Sequence, residues 1–404
     1  MASRLSMWIK PRVFPLFMIL LLPVTGRAEF AADRWSVNGF ITQGYFKSDH
    51  NNIYGDSEDG SFDFRELAVN ASYRANAELF LAGQLMSRKA GHVDDGSPQV
   101  DYLLADYRFV DNQAYRLGAR IGRLKIPYGL YNDTRDVAFT RPSVMLPQSL
   151  YIDLARDLEL SADGAALYGS FHILDAYRID VDLLIGEPKK DRNVEYAYLS
   201  QDWPGAFDDS IGYMGRLTLS DTTEQWKTGI TLGGFTLEYD DKGLPAGAGG
   251  PSDGDVEIQV AVLSGQYNTE RWSFTGEYML QHVDWTELGG VFALDPENDF
   301  EAWYLQAQYR INPSWELILR YDVQYLDRDD KDGTKTAALF GKPAHTQFAK
   351  DLTLGVGWRP NADWLLRAEW HLVEGTSWVP EQDNRGKTLE EDWNLFSLQA
   401  TYRF

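Results

Sequence analysis

The stretch Trp315-Glu316-Leu317-Ile318-Leu319-Arg320-Tyr321-Asp322-Val323-Gln324-Tyr325 decides the fold class of this chain. Its large apolar residues fall on one face, and these are Trp315, Leu317, Leu319, Tyr321, Val323 and Tyr325. Its polar residues fall on the other face, and these are Glu316, Arg320, Asp322 and Gln324. Alternation over about ten residues is typical of a β-strand with one apolar and one polar face.

The same alternation recurs along the chain, and no apolar stripe with helical spacing accompanies it. About sixteen such segments are predicted, at residues 35–46, 62–74, 77–88, 99–110, 114–124, 161–171, 175–186, 210–220, 225–240, 255–268, 271–285, 299–310, 314–327, 350–359, 363–374 and 391–404. In the ninth segment, Ile230 and Leu232 are out of step with Phe235, and the Gly233-Gly234 pair between them suggests a β-bulge.

The connections between these segments alternate between two kinds. One set is short and turn-like, at 74–77, 110–114, 220–225, 268–270, 312–313 and 360–362. The other set is long and polar, at 47–61, 89–98, 125–160, 187–209, 241–254, 286–298, 328–349 and 375–390. An even number of antiparallel strands with short turns at one end and long loops at the other predicts an all-β transmembrane barrel. About sixteen strands leave a water-filled lumen.

Aromatic residues mark the short-turn end of the predicted barrel. Outward-facing aromatics follow the tight turns, and these are Tyr115, Tyr177, Trp226, Trp272, Trp315 and Trp364. Such a ring is typical of the level where lipid meets water. The final strand ends in Tyr402-Arg403-Phe404, which resembles the signal that the barrel-assembly machinery recognises. Phe404 is therefore predicted to contact that machinery.

The first 28 residues differ from the rest of the chain. Arg4, Lys10 and Arg12 precede the apolar run 13–24, and small residues precede a predicted cleavage after Ala28. This pattern predicts a secretory signal peptide at 1–28. The alternative is a membrane anchor, but the run is shorter than the ~20 residues that span a bilayer. Residues 29–404 are then one barrel domain in the outer membrane of a Gram-negative cell.

Composition excludes several classes of function. The chain has no cysteine, so it can form no disulfide or thiolate site. Its net charge of −22, from 60 acidic and 38 basic residues, argues against nucleic acid as a partner. The six histidines lack metal-binding spacing, and no nucleophile or phosphate-loop motif occurs. We therefore predict no enzyme activity, no catalytic residue, no cofactor and no metal site.

The stretch Gly122–Asp136, continued by Phe139–Pro142 and Leu146–Tyr151, carries a family resemblance. It is similar to the third-loop region of Gram-negative outer-membrane porins, and more loosely to phosphate-selective porins. The resemblance implies a homotrimeric channel of about sixteen strands whose long third extracellular loop folds into the lumen. It does not imply phosphate as the solute, because this loop lacks a dense run of lysines.

Residues 125–160 occupy the position of that third loop, and their charges have two interpretations. Loop acids and wall bases could form a transverse field that tunes ion selectivity, or the charges could pair with each other and hold the loop folded. Arg116 and Arg120, just before the loop, are the best candidates for a basic wall. The full set of predicted constriction or selectivity residues is Arg116, Arg120, Arg123, Lys125, Asp133, Arg135, Asp136 and Arg141.

The predicted function is passive diffusion of small hydrophilic solutes or ions through a water-filled channel. One alternative is a structural or adhesive barrel without an open channel, and a weaker alternative is a barrel enzyme. Acidic runs in the long loops, such as Asp329-Asp330 and Glu390-Glu391-Asp392, are usually solvated. They could also bind lipopolysaccharide through divalent cations, so lipid and lipopolysaccharide are the predicted partners.

Overall fold

The computed structural model describes residues 34–201, 203–243 and 250–404, and the predicted signal peptide at 1–28 lies outside these residues. Within them, sixteen strands form one closed antiparallel barrel, in which β1 pairs with β16. The strands are β1 (Trp35–Ser48), β2 (Ser61–Arg74), β3 (Leu79–Ala90), β4 (Asp94–Asp111), β5 (Tyr115–Lys125), β6 (Ser161–Ile173), β7 (Tyr177–Pro188), β8 (Ala206–Asp221), β9 (Trp226–Asp240), β10 (Gly254–Asn268), β11 (Trp272–Thr286), β12 (Glu297–Asn312), β13 (Trp315–Tyr325), β14 (Phe348–Trp358), β15 (Trp364–Gly375) and β16 (Asp392–Arg403). The predicted fold class is confirmed.

Among the described residues, three short α-helices lie in the long connections. They are α1 (Arg156–Leu160), α2 (Arg192–Leu199) and α3 (Thr334–Phe340). In the part of the chain that the structure describes, no helix has the length and apolar character needed to cross a membrane.

The outward faces of the strands form a continuous apolar belt. Leu103, Ile121 and Leu305 are each more than 60% exposed there, at 61%, 65% and 64%. Large apolar side chains left uncovered around a whole barrel are stable in hydrocarbon rather than in water, because their burial is then completed by lipid.

Aromatic pairs across neighbouring strands ring the short-turn end of this belt. The ring centroids are 5.4 Å apart in Trp315–Trp358, 4.6 Å in Trp272–Tyr309 and 5.1 Å in Trp364–Tyr402. The chain end belongs to the same rim, because Phe404 and Gly39 exchange two backbone hydrogen bonds of 3.0 Å. Closure of β1 on β16 therefore leaves no free sheet edge.

Two details differ from the sequence-based expectation. β4 begins at Asp94 rather than near 99, because two register shifts in its pairing with β3 draw the turn-like stretch 94–98 into the ladder. The expected bulge at Gly233-Gly234 is wrong, because the pairing of β9 with β10 continues unbroken through both glycines. Leu232 faces outward into the belt, whereas Phe235 is buried inside the barrel.

Candidate functional site

The connection between β5 and β6, residues 126–160, folds into the barrel, and we call it the inner loop. Its position follows from contacts with inward carboxylates on three distant strands. Arg141 donates to Glu66 of β2, the Tyr151 hydroxyl to Glu277 of β11, and the Val144 backbone N–H to Glu369 of β15, at 2.7, 2.5 and 2.6 Å. The prediction that the third long loop enters the lumen is confirmed.

Apolar and tyrosine side chains fold the inner loop against the barrel. Ile126, Tyr128 and Leu150 are almost fully buried in one cluster with inward residues of β10 and β11. The Tyr128 hydroxyl donates to the Leu150 carbonyl at 3.1 Å. Gly129 has φ +54°, and an added Cβ would lie 2.3 Å from the Tyr151 hydroxyl, so glycine is required where the loop turns.

The inner loop divides the barrel interior into two unequal surfaces. The packed wall consists of the inward residues of β9–β16 and β1–β3 that the loops cover, and most of them are buried. The open wall consists of the inward residues on the short-turn halves of β4–β8, most of which keep partial exposure. Arg116 of the open wall has 51% of its side chain exposed, whereas Arg320 of the packed wall has 0%.

Glu277 is the centre of a buried hydrogen-bond cluster on the packed wall. Its carboxylate accepts from the hydroxyls of Tyr151, Tyr304 and Ser264 at 2.5, 2.7 and 2.6 Å, and from the Leu130 backbone N–H at 3.0 Å. A buried carboxylate is costly unless it is hydrogen-bonded, so all four donors stabilise Glu277, and the two from the inner loop, Tyr151 and Leu130, fix the loop at β11. The sequence shows the alternation that turns Glu277 inward, but not the loop residues it meets.

A second cluster holds the middle of the inner loop on β13 and β15. Arg320 donates to the Ser143 hydroxyl and the Met145 carbonyl, both at 3.0 Å. It also lies 3.6 Å from Asp322, its neighbour on the same face of β13. His371 is fully buried with its Nδ1 2.7 Å from Asp351 and its Nε2 3.5 Å from Glu369.

Four of the eight predicted constriction residues belong to a buried charge network between the inner loop and β2–β5. Lys125 pairs with Asp101 and Asp136, and Arg156 also contacts Asp136. Arg135 lies 3.4 Å from Glu159 and 3.7 Å from Asp153. Arg141 forms a two-pronged ion pair with Glu66, at 3.0 and 2.7 Å. Lys125, Arg135, Asp136 and Arg141 are thus placed to hold the loop folded, which is the second of the two interpretations.

Three predicted residues line the open wall or face it. Arg116 lies 3.2 Å from Asp111, and Arg120 lies 2.9 Å from Asp106 with its guanidinium 4.3 Å from the Tyr168 ring centroid. Asp133 of the inner loop lies 2.8 Å from Arg216 of β8, an arginine that also contacts Asp182 at 3.0 Å. A loop acid is therefore ion-paired directly with a wall arginine in this part of the interior.

Arg123 does not face the lumen. It pairs across the sheet with Leu103 and Asp163, and Leu103 belongs to the exposed outward belt. Its guanidinium donates to Asp163 at 2.6 and 2.8 Å near the long-loop rim. The strand alternation already assigns residue 123 to the same face as Ile121. The prediction that Arg123 lines the constriction is therefore wrong, and Arg123 forms an ion pair on the outer surface instead.

Burial changes the protonation of charged groups in the inner loop. Burial raises the pKa of Glu159 to about 8, although the nearby Arg135 charge acts in the opposite direction. Burial, together with the charges of Arg88 and Arg135, lowers the pKa of Arg156 to about 9. The protonation of Glu159 and Arg156 in the inner loop therefore depends on their burial.

Two groups of side chains bring possible metal ligands together at the long-loop rim. They are His282, Asp284 and Glu297, and Asp240, Asp241 and Asp253. All six are at least partly exposed, and exposed carboxylates commonly lie together without an ion. We assign no metal to either group.

Comparison with known proteins identifies solved structures with a similar architecture. No family model matches the sequence, and no curated protein sequence matches it significantly. The chain is similar in structure to the anion-selective porin from Comamonas acidovorans, with TM-score 0.56 and 10% identity over 92% of this chain and 99% of that chain. It is also similar to OprB of Pseudomonas putida, with TM-score 0.55 and 11% identity over 92% of this chain and 94% of that chain.

The outer membrane channel DcaP of Acinetobacter baumannii is a third similar structure. Its TM-score is 0.54 at 11% identity, over 92% of this chain and 97% of that chain. Identities this low show the fold alone, so the chain has the sixteen-stranded porin-type architecture of Gram-negative outer-membrane barrels.

Proposed function

We propose that this protein is an outer-membrane porin, a water-filled channel for passive diffusion of small hydrophilic solutes or ions. The observation that carries the proposal is the inner loop, which enters a closed sixteen-stranded barrel and leaves one charged wall partly exposed. A barrel with an apolar belt outside and charged side chains on an exposed inner surface suits solute passage, because water and ions can solvate that surface.

The proposed constriction lies between the open wall and the inner loop. Arg116 and Arg120 are its basic side, and Asp133 is the loop residue that faces the wall. Lys125, Arg135, Asp136 and Arg141 set the bore indirectly, because their ion pairs fix where the loop lies. We assign no catalytic residue, in agreement with a channel that performs no bond chemistry.

Recording from purified protein in planar bilayers tests the proposal. We expect stepwise ion conductance, and reversal potentials in a salt gradient then give the charge preference. A barrel that inserts but never conducts would contradict a channel and would support the alternative of a structural barrel. The observation that favours this alternative is the packed wall, on which the inner loop covers residues such as Arg320, Glu277 and Glu369.

The outer surface of the barrel supports a proposal about the partners of the protein in the membrane. The apolar belt would contact membrane lipid, and the acidic residues of the long loops would contact lipopolysaccharide through divalent cations. We further propose a homotrimer and recognition of the exposed Phe404 by the barrel-assembly machinery. Mass measurement of the detergent-solubilised protein distinguishes trimer from monomer.

We also propose that residues 1–28 are removed on export. Their basic start, apolar middle and small residues before the cleavage site support this. N-terminal sequencing of protein from outer-membrane fractions should begin at Glu29, and retention of Met1 would contradict the proposal.

A further inference from the structure

A cavity of about 390 Å³ lies at the short-turn end of the barrel, next to the inner loop. Residues 139–142 of the inner loop form one side of it, and the short-turn ends of β10–β13 form another. Among the described residues that line it, five are arginine and one is a carboxylate: Arg141, Arg271, Arg310, Arg359, Arg367 and Glu316. In a chain of net charge −22, such a concentration of positive charge is local and specific.

The partners of these arginines leave positive charge in excess. Glu316 lies 3.4 Å from Arg359 and 3.6 Å from Arg367, so it serves two guanidinium groups. Within the part of the chain that the structure describes, Arg271 and Arg310 form no ion pair within 4.0 Å, although Arg271 is hydrogen-bonded to Tyr309 and lies in the field of Glu270. Glu66 pairs with Arg141, Glu270 acts on Arg271 through its charge, and Glu316 is shared by Arg359 and Arg367. Three carboxylates thus face five arginines, so positive charge remains in excess at this cavity.

Two of the arginines, Arg367 and Arg141, are held in place by hydrogen bonds and ion pairs to the protein. Arg367 donates to the carbonyls of Ala138 and Arg141 at 2.8 and 2.7 Å, and Arg141 is held by Glu66. The Nε atoms of Arg367 and Arg141 are nevertheless buried, and each is without a hydrogen-bond partner in the described ranges. The Nε atoms of Arg88, Arg135 and Arg320 are unpaired in the same way away from this cavity, so these two atoms do not by themselves indicate a ligand.

We infer that this cavity is a binding site for a small oxyanion that carries two or more negative charges on phosphate or carboxylate groups. Guanidinium groups match such oxygens in pairs, and Thr140, Ser273 and Gln308 add neutral hydrogen-bonding groups to the lining. The inference rests on the proposed function, because a solute in the lumen would reach the cavity from the channel.

Calorimetric titration of the detergent-solubilised barrel at low ionic strength tests the site. The probes are pyrophosphate and citrate, with acetate as a singly charged comparison. We expect at least one of the first two to bind more tightly than acetate. The double variant Arg310→Gln/Arg359→Gln should bind it about a hundredfold more weakly, since each of the two lost charge-assisted contacts contributes on the order of one factor of ten.

Arg74→Gln is the matched control, because Arg74 is also exposed at the short-turn end but does not line this cavity. Binding that the control leaves intact and the double variant weakens supports the site. Equal weakening in both, or no binding by the unaltered barrel, overturns it. Preference for pyrophosphate identifies a phosphate site, and preference for citrate a carboxylate site. If the double variant fails to fold, Arg310→Gln alone provides the comparison.

Bilayer recording separates this inference from the proposed function. A barrel that conducts chloride salts but binds neither probe would overturn the anion site and leave the channel standing. A barrel that never conducts but binds pyrophosphate through these arginines would overturn the channel and leave the site standing.

Discussion

The packed wall and the open wall are parts of one sheet, yet similar side chains on them have opposite environments. Arg320 and Arg116 both occupy inward positions of alternating strands. Arg320 is buried and donates hydrogen bonds to Ser143, Met145 and Thr353, whereas about half of the Arg116 side chain is exposed to solvent.

The difference is set by the inner loop and not by the strands. A buried arginine must have its charge and donors satisfied by the protein, so it holds structure together. An exposed arginine on the same face is solvated by water, so its charge remains available to passing ions. Substitutions on the two walls should therefore have different consequences, and the following predictions test that contrast in order of expected effect.

The largest effect on stability is expected from Arg141→Ala. The change leaves Glu66 buried without its two-pronged partner, so the free energy of unfolding should fall by about 3–5 kcal/mol. The freed loop should also raise single-channel conductance. Urea unfolding in lipid vesicles measures the first quantity, and bilayer recording the second. The control Arg116→Ala should lower stability by less than about 1 kcal/mol, and an equal loss in both would contradict the contrast.

Glu369→Gln should have the next largest effect. The Glu369 carboxylate accepts from the backbone N–H groups of Val144 and Met145, and an amide provides a weaker, uncharged acceptor. We expect a loss of about 1.5–3 kcal/mol in unfolding free energy and noisier open-channel current. Glu374→Gln on the outward face of the same strand is the matched control. Quiet current and unchanged stability in Glu369→Gln would show that this contact does not hold the loop.

The pH dependence of stability should report the burial of Glu159. Since burial raises its folded-state pKa to about 8, the folded protein binds more protons than the unfolded chain between the ordinary pKa of 4.5 and that value. Its contribution is full below pH 4.5 and is lost as pH rises through 8, with a slope of up to about 1.4 kcal/mol per pH unit. Glu159→Gln should flatten this part of the curve, and an unchanged slope would refute the assignment.

Arg116→Gln combined with Arg120→Gln should change selectivity more than stability. Both arginines are partly exposed, so unfolding free energy should change by less than about 1 kcal/mol. Loss of two positive charges should shift the reversal potential toward cation preference. An unshifted potential in a folded, conducting variant would remove these residues from the constriction.

Arg123→Gln should have the smallest effect. Its ion pair with Asp163 lies on the outer face near the long-loop rim, and exposed pairs contribute about 0.2–1 kcal/mol. The reversal potential should equal that of the unaltered channel, because the side chain is outside the lumen. A clear shift would place Arg123 back in the ion path.

The strand pattern was readable from the sequence because alternation is a local property. Each of the sixteen predicted segments corresponds to a strand, and in the ninth only the expected bulge is wrong. Leu232 and Phe235 are both apolar because one faces lipid and the other faces packed loops, so alternation of polarity breaks down without any bulge. The prediction for Arg123 is wrong because proximity to the long loop does not change the face that strand alternation gives a residue.

The roles of charged residues were not readable in the same way. Arg320 and Arg120 both lie five residues after the outward aromatic that begins their strand, yet the Arg320 side chain is fully buried and 39% of the Arg120 side chain is exposed. The Glu277 cluster and the arginine-lined cavity depend on residues more than a hundred positions apart in the chain.

The sequence by itself determined the closed barrel, the direction of its faces, its two unlike ends and the presence of a long third loop, because these follow from local alternation and connection length. Only the tertiary structure decided which charges are enclosed and which are solvated. Enclosure depends on where a distant segment packs, and the sequence pattern around each strand contains no record of that contact.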